Sequence, residues 1–600
     1  MTTAWTPTQW CRMDAGAVSS PPLTPPQSLK PIDPLIEKLL RVRGVTSAEQ
    51  AGRFLRPRLS HLHDPADLPG CDRAAQRLKH AVEAGQPVAI YGDYDVDGVT
   101  ASAILYHTLK LAGASVTTYV PHRLDEGYGL NEQAIRKLAE DHPVIVSVDC
   151  GVTATGPAEA AQDLGIDLII TDHHQFDADH LPQAYALVHP GLTGHDGQGS
   201  SNPDLCGAGV AYKLAWHFAR VYTGAGPEGK LPERYRELML DLLALAALGT
   251  VADVVPLTGE NRVITAFGLR RLRHTQIDGL RELIKASKLE GEDIDAYHVG
   301  FVLGPKLNAC GRMGHAREAV ELLTTATGDR ARELAKQLHH ANEDRKATER
   351  ATVRQAEQMV VEAGFDSDDQ RAIVLAHRDW HPGVVGIVAS RLVDKFHRPV
   401  VVLCIDEQAG EAKGSARSVD GACIHTALNA CAKHLTKFGG HAMAAGMTLP
   451  IEAIDPFRDA LVKQVNTMLS PAQLVGRVRI DADVALGDCN LPLFQQFQAL
   501  APFGRSNPKP RLIAERLVLS RPAQRMGSAG KHLSLYLSGA TEQGAAAMRA
   551  VGWNKGDLAD ELPAGACVDV VFQPSINQWR GNCSAELHII DIRLSTSEPL

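Results

Sequence analysis

The sequence contains no long apolar run. Its longest apolar stretch, residues 242–252, covers 11 residues between Asp241 and Asp253. A membrane-spanning helix needs about 20 such residues, so we expect no membrane span. The first 34 residues hold seven prolines but no charged segment followed by an apolar core. We therefore expect no secretory signal and a flexible N-terminus.

The sequence also lacks paired cysteines and an excess of basic residues. Its 11 cysteines form no Cys-x-x-Cys pair, which fits reduced thiols in a cytoplasmic protein better than a disulfide framework or a zinc site. Lys and Arg number 61 against 70 Asp and Glu, a formal charge of -9. This balance argues against coating duplex DNA by bulk charge, but it does not exclude a local basic channel.

What the sequence does have is length and a globular composition. Its 600 residues are 44% apolar and 22% charged, which predicts about three to five domains. From 87 to 252, short β-branched runs at 87–91, 144–148 and 167–171 alternate with amphipathic helical segments. This alternation is typical of a parallel α/β sheet.

The second half of the chain predicts three further elements. Residues 328–364 contain no proline and many helix-forming charged residues, so we expect one long helix there. A smaller α/β unit follows, with strands at 372–376 and 399–403. After about 472, alternating segments such as 533–537 and 585–592 predict a small antiparallel barrel. The fold class is therefore α/β with an added C-terminal β-barrel.

The strongest chemical signal is the segment Gly-Asp-Tyr-Asp-Val-Asp-Gly at 92–98. If this segment is extended, Asp93, Asp95 and Asp97 point the same way, and such a cluster of acids needs a cation. Two other interpretations are open. One is a helix N-terminus with favourably placed acids, and the other is an EF-hand, which the missing Glu at the twelfth loop position disfavours.

Further acids and histidines follow the next strands. Asp149 follows the second strand, Asp172, His173 and His174 follow the third, and Asp253 lies in an apolar stretch. We expect these groups at successive strand ends of one sheet, where α/β proteins bind ligands. Carboxylate and imidazole ligands suit Mn²⁺ or Mg²⁺, and the number of acids suggests two ions about 3.5–4 Å apart.

Four motifs resemble those of the DHH phosphoesterase family. They are GDYDVDG at 92–98, SVDCG at 147–151, TDHH at 171–174 and GTVADVVPL at 249–257. Residues 413–418 and 439–446 resemble the substrate-binding DHHA1 domain. Residues 501–508 resemble the start of the OB fold in the family's bacterial single-strand-specific 5′→3′ exonucleases. The resemblance covers nearly the whole chain from about residue 35.

This resemblance implies the following domain boundaries: a Pro-rich flexible N-terminus at 1–34, a helical segment at 35–80, a DHH catalytic domain at 81–325, a linking helix at 326–366, a DHHA1 domain at 367–471 and an OB fold at 472–600. It also implies hydrolysis of single-stranded DNA by a two-metal mechanism, in recombination and repair. A helicase and a single-strand-binding protein are the implied partners of a monomer.

The resemblance also implies roles for individual residues. Asp95, Asp97, Asp149, His173 and Asp253 are expected to ligate metal, with Asp149 as the bridge and Asp93 beside them. His174 is expected to face the scissile phosphate, and Asp172 to orient its neighbours. The residues expected to bind nucleic acid are Arg123, Arg312, Ser415, Arg417, Ser418, His441, Phe503 and Arg505, where 415–418 is expected to form a glycine-flanked turn. Barrel aromatics that can stack on bases are Phe503, Tyr536, Trp553 and Trp579.

Two other functions remain open from the sequence. A DHH phosphodiesterase for short oligonucleotides or cyclic dinucleotides shares the catalytic motifs but lacks the long C-terminal barrel. A catalytically inactive replication scaffold shares the fold but is expected to have lost metal-binding acids, whereas all of them are present in this sequence.

Overall fold

A computed structural model describes residues 8–13, 23, 32–122, 126, 129–193, 199–226, 229–313, 316–539, 546–579 and 581–595. The chain divides into two compact units. The larger contains residues 11–339 and 479–600, the smaller contains residues 340–478, and the first ten residues are divided between them. Within the described ranges, no helix is long and apolar enough to cross a membrane.

The described part of the chain begins with elements that precede a parallel sheet. They are β1 (Thr8–Arg12), α1 (Pro34–Val42), α2 (Ala48–Leu55) and α3 (Cys71–Glu83). β1 corrects the prediction of a flexible N-terminus over 1–34. Its residues lie between prolines but include none, and Arg12 anchors the strand through ion pairs to Asp483 (2.9 Å) and Glu515 (2.7 Å).

A parallel sheet follows, as the sequence predicts. Its strands are β2 (Val88–Gly92), β3 (Val116–Tyr119), β4 (Val144–Val148), β5 (Asp167–Thr171) and β6 (Ala186–Val188), in the order β3-β2-β4-β5-β6. The helices between them are α4 (Val96–Leu111), α5 (Glu132–Ala139) and α6 (Thr155–Asp163). Both faces of the sheet are covered by apolar clusters, which explains why β2 and β4 are buried along their whole length.

Successive strands of this sheet are added on opposite sides of β2. The connection from β2 leads to β3 on one side, and the chain then returns to β4 on the other side. The carboxyl ends of β2 and β4 therefore border the crevice where open α/β sheets bind ligands.

Helices pack around the parallel sheet in the larger unit. They are α7 (Gly207–Thr223), α8 (Glu233–Ala252), α9 (Gly259–Leu272), α10 (Asp278–Ala286), α11 (Ala296–His298), α12 (Gly304–Met313) and α13 (Arg317–Thr324). A π-helical turn, Val299–Leu303, connects α11 to α12. The long helix predicted at 328–364 is confirmed as α14 (Gly328–Glu362), and the division between the two units falls within it.

The smaller unit contains a mixed sheet. Its elements are β7 (Ile373–His377), α15 (Val385–Phe396), β8 (Val400–Asp406), β9 (Glu411–Arg417), α16 (Ile424–Ala430), β10 (Lys437–Gly440), β11 (Ala444–Pro450) and α17 (Ile454–Met468). The strand order is β10-β11-β9-β8-β7, in which β7 and β8 are parallel and the other neighbours are antiparallel.

The C-terminal strands form a closed barrel. β12 (Gly476–Ile480) precedes the barrel and belongs to a separate two-stranded sheet. The barrel elements are β13 (Ala482–Asp483), α18 (Leu491–Phe497), β14 (Leu512–Leu519), β15 (Gln524–Met526), β16 (His532–Gly539), β17 (Ala546–Gly552), β18 (Cys567–Trp579) and β19 (Asn582–Leu594). The order β14-β18-β19-β17-β16 closes because β16 also pairs with β14. The barrel is not purely antiparallel as predicted, since β17 and β19 run parallel.

The N-terminal helices belong to the core of this barrel. Ile36, Leu39 and Leu40 of α1 and Phe54 of α2 share one buried cluster with barrel residues such as Phe572. α3, in contrast, packs with the helices around the parallel sheet through Ala74 and Leu78. The segment predicted as one unit at 35–80 is therefore divided between two cores.

Candidate metal centre and nucleic-acid contacts

Three acids occupy equivalent positions at one edge of the parallel sheet. Gly92, Val148 and Thr171 are paired across β2, β4 and β5. The residues that directly follow these three strands are Asp93, Asp149 and Asp172, all of which are buried. Because the strands are parallel and in register, their carboxyl ends place these side chains side by side.

The turn after β2 brings its acids together in a way that differs from the prediction. The segment 93–97 is not extended, because β2 ends at Gly92 and α4 begins at Val96. Asp95 is the N-cap of α4, and its Oδ1 accepts hydrogen bonds from the amides of Asp97 (2.8 Å) and Gly98 (3.1 Å). The cap interpretation is therefore confirmed for Asp95, and capping leaves its other carboxylate oxygen available for a cation.

Asp97 is held by the start of a distant helix. Its carboxylate accepts hydrogen bonds from the amides of Gly207 (2.6 Å) and Ala208 (2.9 Å) at the N-terminus of α7. A helix N-terminus carries partial positive charge, which favours the ionised carboxylate. Glycine is required there, because a Cβ at Gly207 would overlap Oδ1 of Asp149.

The two histidines after β5 have different environments. Nε2 of His173 lies 3.2 Å from Asp149, 3.7 Å from Asp253 and 3.8 Å from Asp97. His174 is 41% exposed, and Oδ1 of Asp172 accepts a hydrogen bond from its Nδ1 at 2.7 Å. Asp172 also accepts hydrogen bonds from the amides of Val152 and His173, so it fixes the turn as well as the ring.

Asp253 joins this group from a helix and not from a strand. It is the C-cap of α8, a helix whose residues 242–250 are buried on every side. The prediction that all four acidic groups follow strands is therefore wrong for Asp253. A helix buried all round has no polar face, and without helical periodicity its apolar run resembles a buried strand.

The ligand atoms form three overlapping groups, within each of which all atoms lie within 4.8 Å of one another. They are Asp93, Asp95 and Asp149; Asp97, His173 and Asp253; and Asp149, His173 and His174. Oδ1 of Asp149 and Nε2 of His173 are buried and make no hydrogen bond to any described group. Their 3.2 Å separation is close to the roughly 3 Å between adjacent ligands of an octahedral Mg²⁺ or Mn²⁺ ion. The donor set therefore fits Mn²⁺ or Mg²⁺.

The pKa shifts show how strongly the acids of this cluster repel one another when no cation lies between them. Burial, and then the charges of Asp97, Asp95 and Asp93, raise the pKa of Asp149 well above its ordinary value. Burial and the same two neighbours, Asp97 and Asp95, raise the pKa of Asp253 to about 8. Burial lowers the pKa of His173. Divalent ions remove this repulsion by supplying positive charge between the acids.

The pKa of His174 is shifted in the opposite direction. Burial alone lowers it, but the hydrogen bond to Asp172 and the surrounding carboxylates outweigh burial and raise the pKa to about 9. The hydrogen bond to His174 and the adjacent amides likewise outweigh the effect of burial on Asp172 and lower the pKa of that carboxyl. The pair therefore favours an imidazolium beside a carboxylate.

Three of the residues expected to bind nucleic acid are described in the larger unit. Arg505 is exposed, and its Nη1 donates to the carbonyl of Val254 at 3.3 Å, next to Asp253. Arg312 is half-buried in the last turn of α12, where Gly311 lies against the backbone of Tyr94. Phe503 is half-buried against the core of the barrel, which limits the ring surface that it can offer. Arg123 lies outside the described residues.

Of the other barrel aromatics, Trp553 is 52% exposed and is contacted edge-on by His532 and His588. The ring of Tyr536 is covered by the guanidinium of Arg521 at 3.4 Å. The side chain of Trp579 lies outside the described residues. Trp553 is therefore the aromatic of the described barrel whose position best suits stacking.

The remaining residues expected to bind nucleic acid lie in the smaller unit. Ser415 and Arg417 belong to β9, and Ser418 directly follows it, so the predicted glycine-flanked turn is wrong. The strand continues because residues 411–417 pair with both β8 and β11. Nη1 of Arg417 donates to Oγ of Ser415 at 2.7 Å, while the buried hydroxyl of Ser418 donates to Ala422. His441 is exposed between β10 and β11.

Several residues at the site give little sequence signal. Gly207 and Ala208 contribute amides, and Gly249 leaves room for the carboxylate of Asp97, which a Cβ would overlap. In the smaller unit, a Cβ at Gly386 in the first turn of α15 would lie 3.1 Å from Arg417 and 3.2 Å from Ser415. A glycine next to an acid that follows a β-strand can be recognised in the sequence. A backbone amide that binds an acid more than a hundred residues away in the chain cannot.

The domains match three known family patterns. Residues 87–250 match the DHH family, N-terminal domain; residues 369–467 match the DHHA1 domain; and residues 480–591 match the RecJ OB domain. These matches and the carboxylate–histidine cluster define a metal-dependent phosphoesterase of the DHH class.

Comparison with known proteins identifies the family within this class. The chain is 39% identical over 567 residues to the single-stranded-DNA-specific exonuclease RecJ of Bacillus subtilis, covering 94% of this chain and 68% of that protein. It is 32% identical over 577 residues to the Escherichia coli protein of the same name, covering 94% and 96%. The chain belongs to the RecJ family.

Solved structures agree with this assignment. A Thermus thermophilus RecJ crystallised with Mn²⁺ has a TM-score of 0.79 at 30% identity, covering 99% of this chain and 80% of that one. A second RecJ structure bound to manganese has a TM-score of 0.58 at 33% identity, covering 68% and 97%. A structure of the Thermus protein with Mg²⁺ matches with a TM-score of 0.74.

Proposed function

We propose that this protein is a single-stranded-DNA-specific exonuclease that hydrolyses phosphodiester bonds from the 5′ end. The observation that carries the proposal is the buried cluster around Asp149 and His173, whose unsatisfied ligand atoms require cations. Membership of the RecJ family identifies DNA as the substrate class for such a centre.

In the proposed reaction each side chain has a separate task. Asp93, Asp95 and Asp149 would hold one ion, and Asp97, His173 and Asp253 would hold the other. Asp149 also lies within 4.8 Å of His173 and would be available to both. Bound Mn²⁺ or Mg²⁺ supplies Lewis acidity, lowers the pKa of water and neutralises phosphate charge. Burial of Asp149 and Asp97 keeps bulk water from competing for their oxygens.

His174 acts on the substrate and Asp172 acts through His174. A ring nitrogen of His174 lies within 4.8 Å of the ligand atoms of Asp149 and His173, so the imidazole borders the place of the scissile phosphate. Because Asp172 holds Nδ1, the opposite ring nitrogen, Nε2, donates a hydrogen bond to a phosphoryl oxygen. Asp172 is a positioning residue that fixes this orientation.

Each unit, taken by itself, offers residues that we propose bind the strand. In the larger unit Arg505 and Arg312, together with Arg123, contact phosphates, and Phe503 and Trp553 contact bases. In the smaller unit Ser415, Arg417, Ser418 and His441 bind the 5′ phosphate and the first nucleotides. The proximity of Arg417 to Ser415 and to the first turn of α15 supports an anion site.

The domain boundaries follow the sequence prediction with one change at the N-terminus. The catalytic domain covers 81–325, the linking helix 326–366, the DHHA1 domain 367–471 and the OB fold 472–600. The helices α1 and α2 are assigned to the OB fold instead of to a separate segment, because they are part of its core.

In the cell, a nuclease that requires single strands needs a source of them. The proposed partners are therefore a helicase and a single-strand-binding protein, and the proposed roles are DNA recombination and repair. The protein is proposed to act as a monomer in the cytoplasm. Its eleven cysteines are all free, which agrees with a reducing compartment.

A substrate panel tests the proposal. Purified protein with Mn²⁺ is incubated with 5′-phosphorylated single strands, with blunt duplex and with a dinucleotide. We expect fast loss of the single strand and at least about tenfold slower loss of the duplex. Equal rates on the duplex, or activity on the dinucleotide alone, would contradict the proposal and favour a phosphodiesterase. Binding without hydrolysis would favour a scaffold.

A further inference from the structure

Residues 499–508, which we call the 499–508 loop, connect the barrel to the catalytic part of the larger unit. One buried arginine of α9, Arg262, is only 2% exposed and donates hydrogen bonds to this loop. Its acceptors are the carbonyl oxygens of Ala501 (2.7 Å), Leu500 (3.0 Å), Ala499 (3.2 Å), Pro502 (3.4 Å) and, outside the loop, Phe54 (2.8 Å).

These acceptors explain how a cation is tolerated at this position. A helical turn, Gln498–Leu500, ends in this loop. Carbonyl oxygens at the end of a helical segment carry partial negative charge and lack partners within the helix. The guanidinium also stacks on the ring of Phe54 at 3.9 Å. The planar fork of arginine reaches several carbonyls at once, whereas the single ammonium of lysine does not.

Other contacts hold the same loop. Asn507 is fully buried, and its Nδ2 donates to the carbonyls of Leu500 and Pro502, both at 2.8 Å. The amide of Leu257 donates to the carbonyl of Arg505 at 2.9 Å. A Cβ at Gly504 would lie 2.6 Å from the side chain of Leu257, so the loop lies directly on this residue.

The anchor of the loop and the metal centre share one segment of chain. Asp253, Val254 and Leu257 precede Arg262 on the approach to α9. Val254 accepts a hydrogen bond from the guanidinium of Arg505. The segment that supplies the metal ligand Asp253 therefore also fixes the loop that carries Arg505.

We propose that Arg262 is a positioning residue for the exonuclease. It fixes the 499–508 loop so that Arg505 stays beside Asp253, where its guanidinium binds a phosphate of the single strand that is being degraded. The inference rests on the proposed function, because Arg505 needs a nucleic-acid substrate at this site.

A purely structural role for Arg262 makes a different prediction. A clamp that only joins two parts of the protein changes the melting temperature but not the affinity for DNA. A positioning residue changes the affinity for DNA, and it does so only when Arg505 is present to be positioned.

The test is a double-mutant cycle on the full chain. The variants Arg262→Lys, Arg505→Ala and the double variant are compared with the wild type. The matched control is Arg271→Lys, since Arg271 lies on the same helix but pairs with Asp241. The readouts are the Kd for a fluorescent single strand in EDTA, by anisotropy, and KM and kcat with Mn²⁺.

We expect Arg262→Lys and Arg505→Ala each to raise Kd and KM about tenfold with little change in kcat, because one charge-assisted contact to phosphate is lost. The double variant is expected to be no weaker than Arg505→Ala, and Arg271→Lys is expected to bind like the wild type. If Arg262→Lys does not fold, Gly504→Ala displaces the loop from Leu257 and is expected to raise Kd in the same way.

An unchanged Kd in Arg262→Lys, or in Gly504→Ala where the first variant does not fold, would overturn the inference. Independent effects that multiply in the double variant would also overturn it. Because Kd is measured without metal, these results stand apart from the proposed function. A wild type that binds the strand but never hydrolyses it would contradict the proposed function and leave the Kd comparison intact.

Discussion

At the scale of single residues, Asp149 connects the parts of the metal centre. Its oxygens belong to two of the three ligand groups, and its backbone adopts a left-handed conformation with φ of 62°. This conformation is uncommon for a residue with a side chain, and the hydrogen bond from its amide to Thr171 (2.9 Å) stabilises it. The strained backbone and the proposed shared ligand occur at the same residue, which is usual at functional sites.

Replacing Asp149 with Asn tests two effects of its carboxylate separately: metal binding and the free energy of unfolding. We expect Asp149→Asn to lower kcat on the order of a hundredfold or more. In EDTA we expect the variant to be about 1 kcal/mol more stable than the wild type, because one carboxylate fewer is buried among like charges. Melting curves with and without Mn²⁺ check this, with exposed Asp163→Asn as the control. A variant that Mn²⁺ stabilises as much as the wild type would contradict the shared-ligand assignment.

The second prediction at this scale concerns Asp172 and His174. We expect Asp172→Asn to lower kcat about 10–100-fold, because the ring of His174 is no longer held by a carboxylate. In the double variant Asp172→Asn, His174→Ala, the loss is expected to equal that of His174→Ala alone. Single-turnover rates measure the effect. Losses that multiply would show that Asp172 acts independently of His174.

At the scale of elements, the start of α7 supports the metal centre without contributing a charged side chain. Its first amides bind Asp97, and Gly207 leaves space for Asp149. We expect Gly207→Ala to push Asp149 aside and weaken the stabilisation by Mn²⁺ at least about tenfold in apparent Kd. The control is Gly52→Ala in α2, where a Cβ would meet no atom within 4 Å. Titration of Mn²⁺ by melting temperature provides the measurement, and equal Mn²⁺ affinity in both variants would contradict this role.

The elements also show which parts of the site a sequence can reveal. Asp93, Asp149 and His173 are predictable because each closely follows a short buried strand, and parallel strands share an edge. The position of Asp253 is harder to predict, because α8 is buried on all sides and lacks the periodicity that marks a helix. The amide of Gly207 and the carbonyl contacts of Arg262 are formed by backbone atoms from distant segments. No side-chain pattern records such contacts.

At the scale of the whole molecule, the beginning and the end of the chain share one core. α1 and α2 contribute Ile36, Leu39, Leu40 and Phe54 to the cluster that fills the barrel. Local patterns correctly predicted the barrel strands, and the family resemblance implied a helical N-terminal segment. They could not show that the two pack together, because burial between ends of the chain leaves no local periodicity.

The shared core makes a prediction about fragments. A fragment of residues 472–600 lacks these apolar partners, and we expect it to be less stable than the same fragment supplied with residues 8–56. Burying each large apolar side chain contributes about 1.5–3 kcal/mol, so the loss is large for a small barrel. Thermal unfolding by circular dichroism measures the difference. Identical melting temperatures would show that the barrel folds without the N-terminal helices.

The central claim is that the cluster around Asp149 hydrolyses single-stranded DNA from its 5′ end. The most direct measurement follows a single strand labelled at its 5′ end, in Mn²⁺ and in EDTA, with wild-type protein and Asp149→Asn. We predict that labelled mononucleotide is the first product, that EDTA abolishes it and that Asp149→Asn forms almost none. A ladder of shortening 5′-labelled fragments, which indicates degradation from the 3′ end, or full activity in Asp149→Asn would contradict the account.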